Sequence, residues 1–440
     1  MTLNAGDTAW VLAASAMVLL MTPGLAFFYG GMVRAKSVLN MALMSFVTIG
    51  IVSVLWTIFG YGLAFGNSGN GFVGPIGLSH LTAAVNAMPN NGGVYPIPEL
   101  AFSAFQLMFA VITPALISGA VADRTKFFSW AIFVTLWVTI VYFPVAHWVF
   151  YFGAKAKDGT ITGAGWLASR GLLDFAGGTA VHINAGAAGL ALALVLGKRI
   201  GFRQTTMKPH NVPLVLIGAG LLWFGWFGFN AGSALGANAT AALALINTQV
   251  ATAAALLGWL VVEKLRDGHP TSLGAASGAV AGLVAITPAC AFVAPWGAVV
   301  IGLVAGAICA LAVGLKFKFG FDDSLDVVGV HLVGGIVGCL AIGFLATTAV
   351  NSAGANGLFY GGGFSLLGKQ ALGAGSVMVY SFVVTYILGM LIKHTIGFRI
   401  SSDDEVSGID LAEHLESGYE LGYGSGTFAS RLATAREGAE

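Results

Sequence analysis

Long apolar runs, separated by short polar or Gly/Pro-rich breaks, recur along the whole 440-residue chain. Eleven of them read as helices that cross a bilayer, with centres near residues 20, 53, 110, 140, 186, 221, 251, 281, 305, 339 and 386. A crossing needs about 20 consecutive apolar residues. Residues 37–98, 212–262 and 269–315 contain no Asp, Glu, Lys or Arg, and each of the last two intervals has room for two crossings. The pattern predicts an all-α polytopic membrane protein: eleven transmembrane helices within residues 1–400, then a tail over 401–440.

Composition narrows the class. Hydrophobic residues make up 57% of the chain and charged residues 9%, against about 25% charged in an ordinary soluble domain. A soluble protein of this length would lack the groups to hydrate its surface, so the lipid bilayer is the expected surrounding. Cys290, Cys309 and Cys339 all fall in apolar segments, which gives no disulfide framework. The opening "MTLNAGDTAW" has no positively charged leader, so the first run is expected to stay as a helix. The last 41 residues carry nine acids and two bases, while the whole chain sums to +1. Nucleic acid is not an expected partner.

Cytoplasmic loops of membrane proteins are rich in Lys and Arg. With the N-terminus outside, fourteen bases fall on inner connections: Arg34, Lys36, Arg124, Lys126, Lys198, Arg199, Arg203, Lys208, Lys264, Arg266, Lys316, Lys318, Lys393 and Arg399. Four fall outside: Lys155, Lys157, Arg170 and Lys369. The N-terminus is therefore expected outside and the acidic tail in the cytoplasm.

Two motifs then stand out. The fifth span opens "DFAGGTAVHINAG", with Asp174 leading to His182, and the tenth opens "DVVGVHLVGGIVG", with Asp326 leading to His331. The two spans run in opposite directions. Five spans followed by five inverted ones, plus a final helix, is an arrangement that builds a pathway at the repeat interface near mid-membrane. At about 1.5 Å per residue, His182 lies roughly 12 Å in from Asp174.

An ionisable group at that depth is costly and points to function. A single such imidazole is equally well explained as bonded to a neighbouring helix. Two at matching places favour a shared pathway, and no further ligands at that depth suggest a metal. His80, His210, His269 and His414 in loops or tail, and His147 and His394 near span ends, read as interfacial or solvated. Asp174 reads as a cap on freed N–H groups at its helix start, Asp326 likewise, and Asp322 and Asp323 as solvated loop charges. "LLWFGWFGFNAGSALG" puts Trp226, Phe229 and Ser233 near the outer end of the sixth span. Those rings serve equally as interface aromatics or as a vestibule whose faces attract a small cation. The pairs Gly278/Gly282, Gly302/Gly306 and Gly334/Gly338 suit close helix packing. There is no "TVGYG"-type filter, no His-Glu-x-x-His, no Gly-x-Ser-x-Gly and no Walker motif, so neither an enzyme nor a cofactor is expected.

At these residues the chain resembles the Amt/Mep/Rh ammonium transporter family, in its bacterial Amt form. The resemblance runs through "TPGLAFFYGGMVRAKSVLNM", "DFAGGTAVHINAG", "GWFGFNAGSA", "TPAC" and "GVHLVGGIVG", in that order. It implies a homotrimer with a pore in each subunit, in which His182 and His331 are paired pore histidines and Trp226 lines the pore. It implies that Phe109 and Phe229 are the stacked rings closing the outer pore. Phe105 and Ser233 match walls of an outer ammonium recruitment site, supported structurally by Asp174. The family's recruitment tryptophan follows an Ala-His-x-x-Trp pattern. Here "AHWVF" puts Phe150 at that place and Trp148 two residues earlier, with Trp166 as a further substitute. The implied activity is recruitment of ammonium, its deprotonation, and conduction of ammonia past the histidines, with a proton relay left open. The tail, around "GIDLAEHLESGYELG", is either a solvated end or, as the resemblance implies, a segment that binds a PII-type signalling protein. Rival readings are an Rh-type gas or amine channel and an ammonium sensor that regulates a partner with little flux.

Overall fold

The computed structural model describes residues 2–76, 81, 87–89, 95–156 and 158–419. His80, Lys157 and the end of the tail beyond Tyr419 lie outside the described residues. Ten helices there are long and apolar enough to cross a membrane: α1 (Ala5–Met32), α2 (Ala35–Phe65), α3 (Glu99–Val121), α4 (Phe127–Phe150), α5 (Gly178–Leu196), α6 (Val212–Gly232), α7 (Ala239–Asp267), α9 (Pro295–Phe319), α10 (Val328–Leu345) and α11 (Ser365–Thr395). Between α7 and α9 lies α8 (Ser272–Ile286), an apolar helix of 15 residues. Every predicted centre falls inside one of these elements. A two-stranded hairpin, β1 (Ala154–Lys155) with β2 (Ile161–Thr162), follows α4.

Packing explains the glycine pairs. Helix α7 is gripped between α8 and α9. A Cβ on Gly302 or Gly306 would meet the Ala251 or Ala255 carbonyl oxygen at 2.2 or 2.1 Å, and one on Gly282 would meet the Ala255 side chain at 2.6 Å. Small residues let backbones approach where lipid supplies no hydrophobic drive between helices. At the centre, α5 and α10 pack against each other, flanked by α8. Both are largely buried, whereas α11 shows most of its apolar length to the outside.

The two central helices begin alike. Each opens with a π-helical turn that carries its histidine, Gly178–Ile183 in α5 and Val328–Leu332 in α10. In front of α5, Asp174 accepts N–H groups from Gly177 and Gly178 on one oxygen, at 2.8 Å each, and from Thr179 and Ala180 on the other, at 2.8 and 3.2 Å. In front of α10 that role belongs to Asp323, which accepts from Val327 and Val328 at 3.1 and 2.7 Å. The capping expected of Asp326 is therefore corrected. Asp326 instead takes a left-handed backbone (φ 65°) and pairs with Lys316 at 2.6 Å. It stands five residues before its histidine, as Gly177 (φ 116°) does. Asp174 and Asp323 each stand eight before theirs.

The solvated reading of Asp322 and Asp323 is overturned as well, since both are buried. Asp322 takes Arg199 on both oxygens at 2.9 Å, and Arg199 also reaches Asp123 at 3.3 Å. Buried Arg124 donates to the Asp322 carbonyl at 2.6 Å and to Ser324 at 2.5 Å. Burial works to raise the Asp322 carboxyl, but the Arg199 hydrogen bonds and the Arg124 charge outweigh it and hold it below the usual carboxylate range. Burial pulls Arg124 down to about 10.

The tail is docked on this same face as far as it is described. Helices α12 (Ser402–Ser407) and α13 (Ile409–His414) carry carboxylates to the starts of other helices. Asp410 accepts from Leu39 and Asn40 at 3.0 and 2.8 Å, and Glu413 from Phe127 at 2.9 Å, so they cap α2 and α4. Glu405 accepts from the Ile200 N–H and from Arg399, both at 2.6 Å. Lys36 donates to the Val406 carbonyl, and Tyr419 bonds His210 at 2.9 Å. His210 and His414, read as solvated, are thus hydrogen-bonded, His414 to Asn40 at 2.9 Å. Up to Tyr419 this segment is not a free solvated end.

Candidate functional site

His182 and His331 meet. Their Nδ1 atoms are 3.3 Å apart, so one ring donates and the other accepts. Both rings are buried, with centroids 5.4 Å apart and planes 21° from parallel. A π-helical turn under each histidine widens the helix by one residue per turn, a device often found at functional positions. The turn at α5 also requires glycine. A Cβ on Gly178 would come within 2.4 Å of the Pro288 ring, and Gly177 is left-handed.

Aromatic rings continue the stack. Trp226 lies 5.3 Å from His182 at 21°, and Phe229 lies 6.0 Å from it at 25°. The Trp226 indole donates to the Thr287 hydroxyl at 2.8 Å, which in turn donates to the Leu283 carbonyl at 2.7 Å. Phe109 and Phe229 are in contact, with centroids 4.2 Å apart, and Phe105 sits 4.9 Å from Phe109. Ser233, at the end of α6, is half-buried and donates back to the Phe229 carbonyl at 2.8 Å.

A void of about 10 Å³ lies against both imidazoles, walled by Trp226, Phe229 and apolar residues such as Leu25, Ile112 and Val280. That is about the room of one water. Among the described residues, the buried Nε2 of His182 has no hydrogen-bond partner. The void's exposed surface is hydrocarbon, which suits a neutral solute far better than an ion.

The candidate substitutes for the missing tryptophan separate. Trp148 donates to the Phe72 carbonyl at 2.7 Å and packs against Tyr380 at 4.7 Å and Trp166 at 5.5 Å. Trp166 stacks on Phe72 at 6.0 Å and lies under Arg170 at 5.0 Å. These two indoles form a cluster of their own with Phe72. Phe150 is buried at the last residue of α4. His147, expected at the interface, is fully buried. It bonds the Ala64 carbonyl at 3.1 Å and stacks on Tyr151 at 4.7 Å.

Sequence reading missed Asp323 as the partner of Asp174, and Thr287 as the group that orients Trp226. The eight-residue spacing Asp174–His182 recurs as Asp323–His331 and was the available signal. Thr287 lies in "TPAC", a matched segment whose residues had no assigned role.

A model of the Ammonium Transporter Family matches residues 9–419. The chain belongs to this family. It is 58% identical to an ammonium transporter of Mycobacterium tuberculosis, over 96% of this chain and 92% of that protein. Among solved structures it resembles Saccharomyces cerevisiae Mep2, with a TM-score of 0.83 and 35% identity over 92% of this chain and 89% of that one. A structure named as a sensor Amt protein matches with a TM-score of 0.82 and 29% identity, over 93% and 98%. Family membership and ten apolar helices make this a multi-pass protein of the plasma membrane.

Proposed function

We propose that the protein recruits ammonium outside the cell, strips one proton from it, and conducts ammonia past His182 and His331. The observation that carries this is the contact of two imidazoles beside a water-sized apolar void, with stacked phenylalanines adjoining it. A bare ammonium ion there would face a desolvation cost of several kcal/mol. Ammonia faces far less, and both imidazoles adjoin its path. Phe105 and Ser233 form the recruitment site, with Phe150 as its third wall; the packing of Trp148 and Trp166 on Phe72 supports Phe150 over them. Phe109 and Phe229 close it from the passage, Trp226 lines the next step, and Asp174 fixes the α5 turn without touching ligand.

The architecture in this reading is two inverted five-helix repeats plus α11, counting α8 as the eleventh span. The N-terminus is outside and the tail cytoplasmic. Equal Asp-to-His spacings, matching π-helical turns and the collection of Arg34, Lys36, Arg124, Arg199, Lys316 and Arg399 on the tail's face support it. Three chains assemble, each with its own passage. A PII-type signalling protein binds the cytoplasmic face beside the docked tail.

A sensor with little flux is the alternative. The named relatives at high identity are transporters, which supports transport over sensing. The test is ammonium uptake by purified protein in liposomes. Wild type should transport, and His182→Ala and His331→Ala should each lose selective conduction by at least about tenfold, or 1.4 kcal/mol of barrier. Unchanged selectivity in both variants would reject the paired-histidine passage, and binding without flux in wild type would favour the sensor.

A further inference from the structure

Free positive charge and exposed rings meet at the end of α9. The loop after α5 carries Lys198 and Arg203. The Nζ of one and the Nη1 of the other each lie 3.8 Å from the point where a Cβ on Gly320 would stand. Beyond the adjoining residues, nothing else among the described residues comes within 4 Å of that point. The result is a notch between two cations, floored by a residue without a side chain. Phe317 and Phe319, in the last turn of α9, are 49% and 68% exposed, and Leu311, further back on the helix, is 58% exposed. We propose that this corner binds an anionic phospholipid, with its phosphate between Lys198 and Arg203 and its acyl chains along α9.

Two cations aimed at one point repel each other, so the arrangement calls for an anion. Among the described residues neither Lys198 nor Arg203 has an ion pair. The nearby acids are already engaged: Asp322 holds Arg199, Asp326 holds Lys316, and Asp323 caps α10. Packing keeps the notch in shape. Arg203 lies over the Phe202 ring at 6.0 Å, and buried Phe202 stacks on Phe317 at 5.8 Å and 13°. Gly320 is left-handed, at φ 77°, as the end of a helix favours. That accounts for the glycine and not for the two bases over it. An excess of Lys and Arg on inner connections accounts for their number, and not for their convergence beside exposed rings. A phosphate accepts hydrogen bonds from both, and a guanidinium matches its oxygens with a planar fork. The rings and Leu311 decide between a free phosphate and a lipid, since only a lipid brings chains to cover them. Lys318, exposed and 5.8 Å from the Phe319 ring, adds a third base at headgroup level. In the orientation proposed above this is the cytoplasmic leaflet; the binding itself does not depend on that orientation.

The test is native mass spectrometry of full-length protein in detergent, titrated with dioleoyl phosphatidylglycerol or dioleoyl phosphatidylcholine. Wild type should hold the first phosphatidylglycerol about twentyfold more tightly than phosphatidylcholine, and Lys198→Gln and Arg203→Gln should each cost about fivefold of that preference. Lys208→Gln combined with Lys264→Gln, exposed bases on other inner connections, should leave it unchanged. All four side chains are exposed, so the variants keep the fold. Equal binding of the two lipids by wild type overturns the proposal. So does an equal loss in the control pair, which would make the preference a matter of net charge. Glycerophosphoglycerol, the headgroup without chains, should bind far more weakly; binding as tight as the lipid's would make the notch a site for free phosphate. A preference that survives Lys198→Gln with Arg203→Gln, while capture of a purified PII-type protein or the number of associated copies changes, would assign the corner to a protein contact instead. The titration involves no transport, so its outcome is independent of whether ammonia is conducted.

Discussion

Asp174 accepts four successive amide hydrogens on two oxygens, from Gly177 to Ala180. The start of α5, and with it the ring of His182, is set by that carboxylate and by the glycine that lets Pro288 close over it. Gly178→Ala should push the added methyl into the Pro288 ring, 2.4 Å away. Overpacking of this kind costs about 1–3 kcal/mol. The expected result is a lower melting temperature in detergent together with reduced flux, because the same shift displaces His182. The partner carboxylate, Asp323, makes a pH prediction. Burial raises it to about 7 from an ordinary 3.8, against the pull of Lys316. Between those values the folded protein holds a proton that the unfolded chain has released. This group's contribution to stability is therefore full at low pH and declines as pH rises through the window. Asp323→Asn removes that titration, so its melting temperature relative to wild type should climb from about pH 4 to pH 7. A flat difference across that range would contradict it. The sequence made Asp174 legible because a Gly-rich helix start followed it directly. It hid Asp322 and Asp323, since nothing local in "FGFDDSLD" tells a buried loop from a wet one; Arg199, 123 positions away, decides it.

Helices were the readable unit. Apolar length locates each crossing because bilayer thickness imposes it, and the small-xxx-small pairs marked close packing without saying which helices meet. Hydropathy could not reveal the turns that lower a histidine into place, because a π-helical turn leaves no mark in composition. Nor could it reveal that the acidic tail caps other helices. Asp410 and Glu413 supply the missing acceptors at the starts of α2 and α4, and Glu405 joins the tail to Arg399 and Ile200. Glu405→Gln removes the charge from that joint. Hydrogen exchange over Ser402–His414 should rise by about tenfold, equivalent to 1.4 kcal/mol of lost protection. Exchange equal to wild type would mean that the ties through Asp410, Glu413, Lys36 and His414 are enough to hold α12 and α13.

At the scale of the whole molecule, the outward faces of α7, α9 and α11 carry large apolar side chains, among them Leu257, Trp296, Leu303 and Ile387. Lipid covers such a surface, and so does another copy of the chain. The trimer in the proposed reading predicts that native mass spectrometry from mild detergent will release three copies together, and a population of single chains would count against it. Bulk composition was enough to identify the membrane, and motif order to identify the family. What neither supplied was the room left where two halves of the chain touch. The water-sized void at that point has a consequence for cell energetics. Protons cross membranes fastest by hopping along files of water, and a gap that holds about one molecule cannot contain a file. If this is the route, nitrogen can enter while the voltage across the membrane is kept.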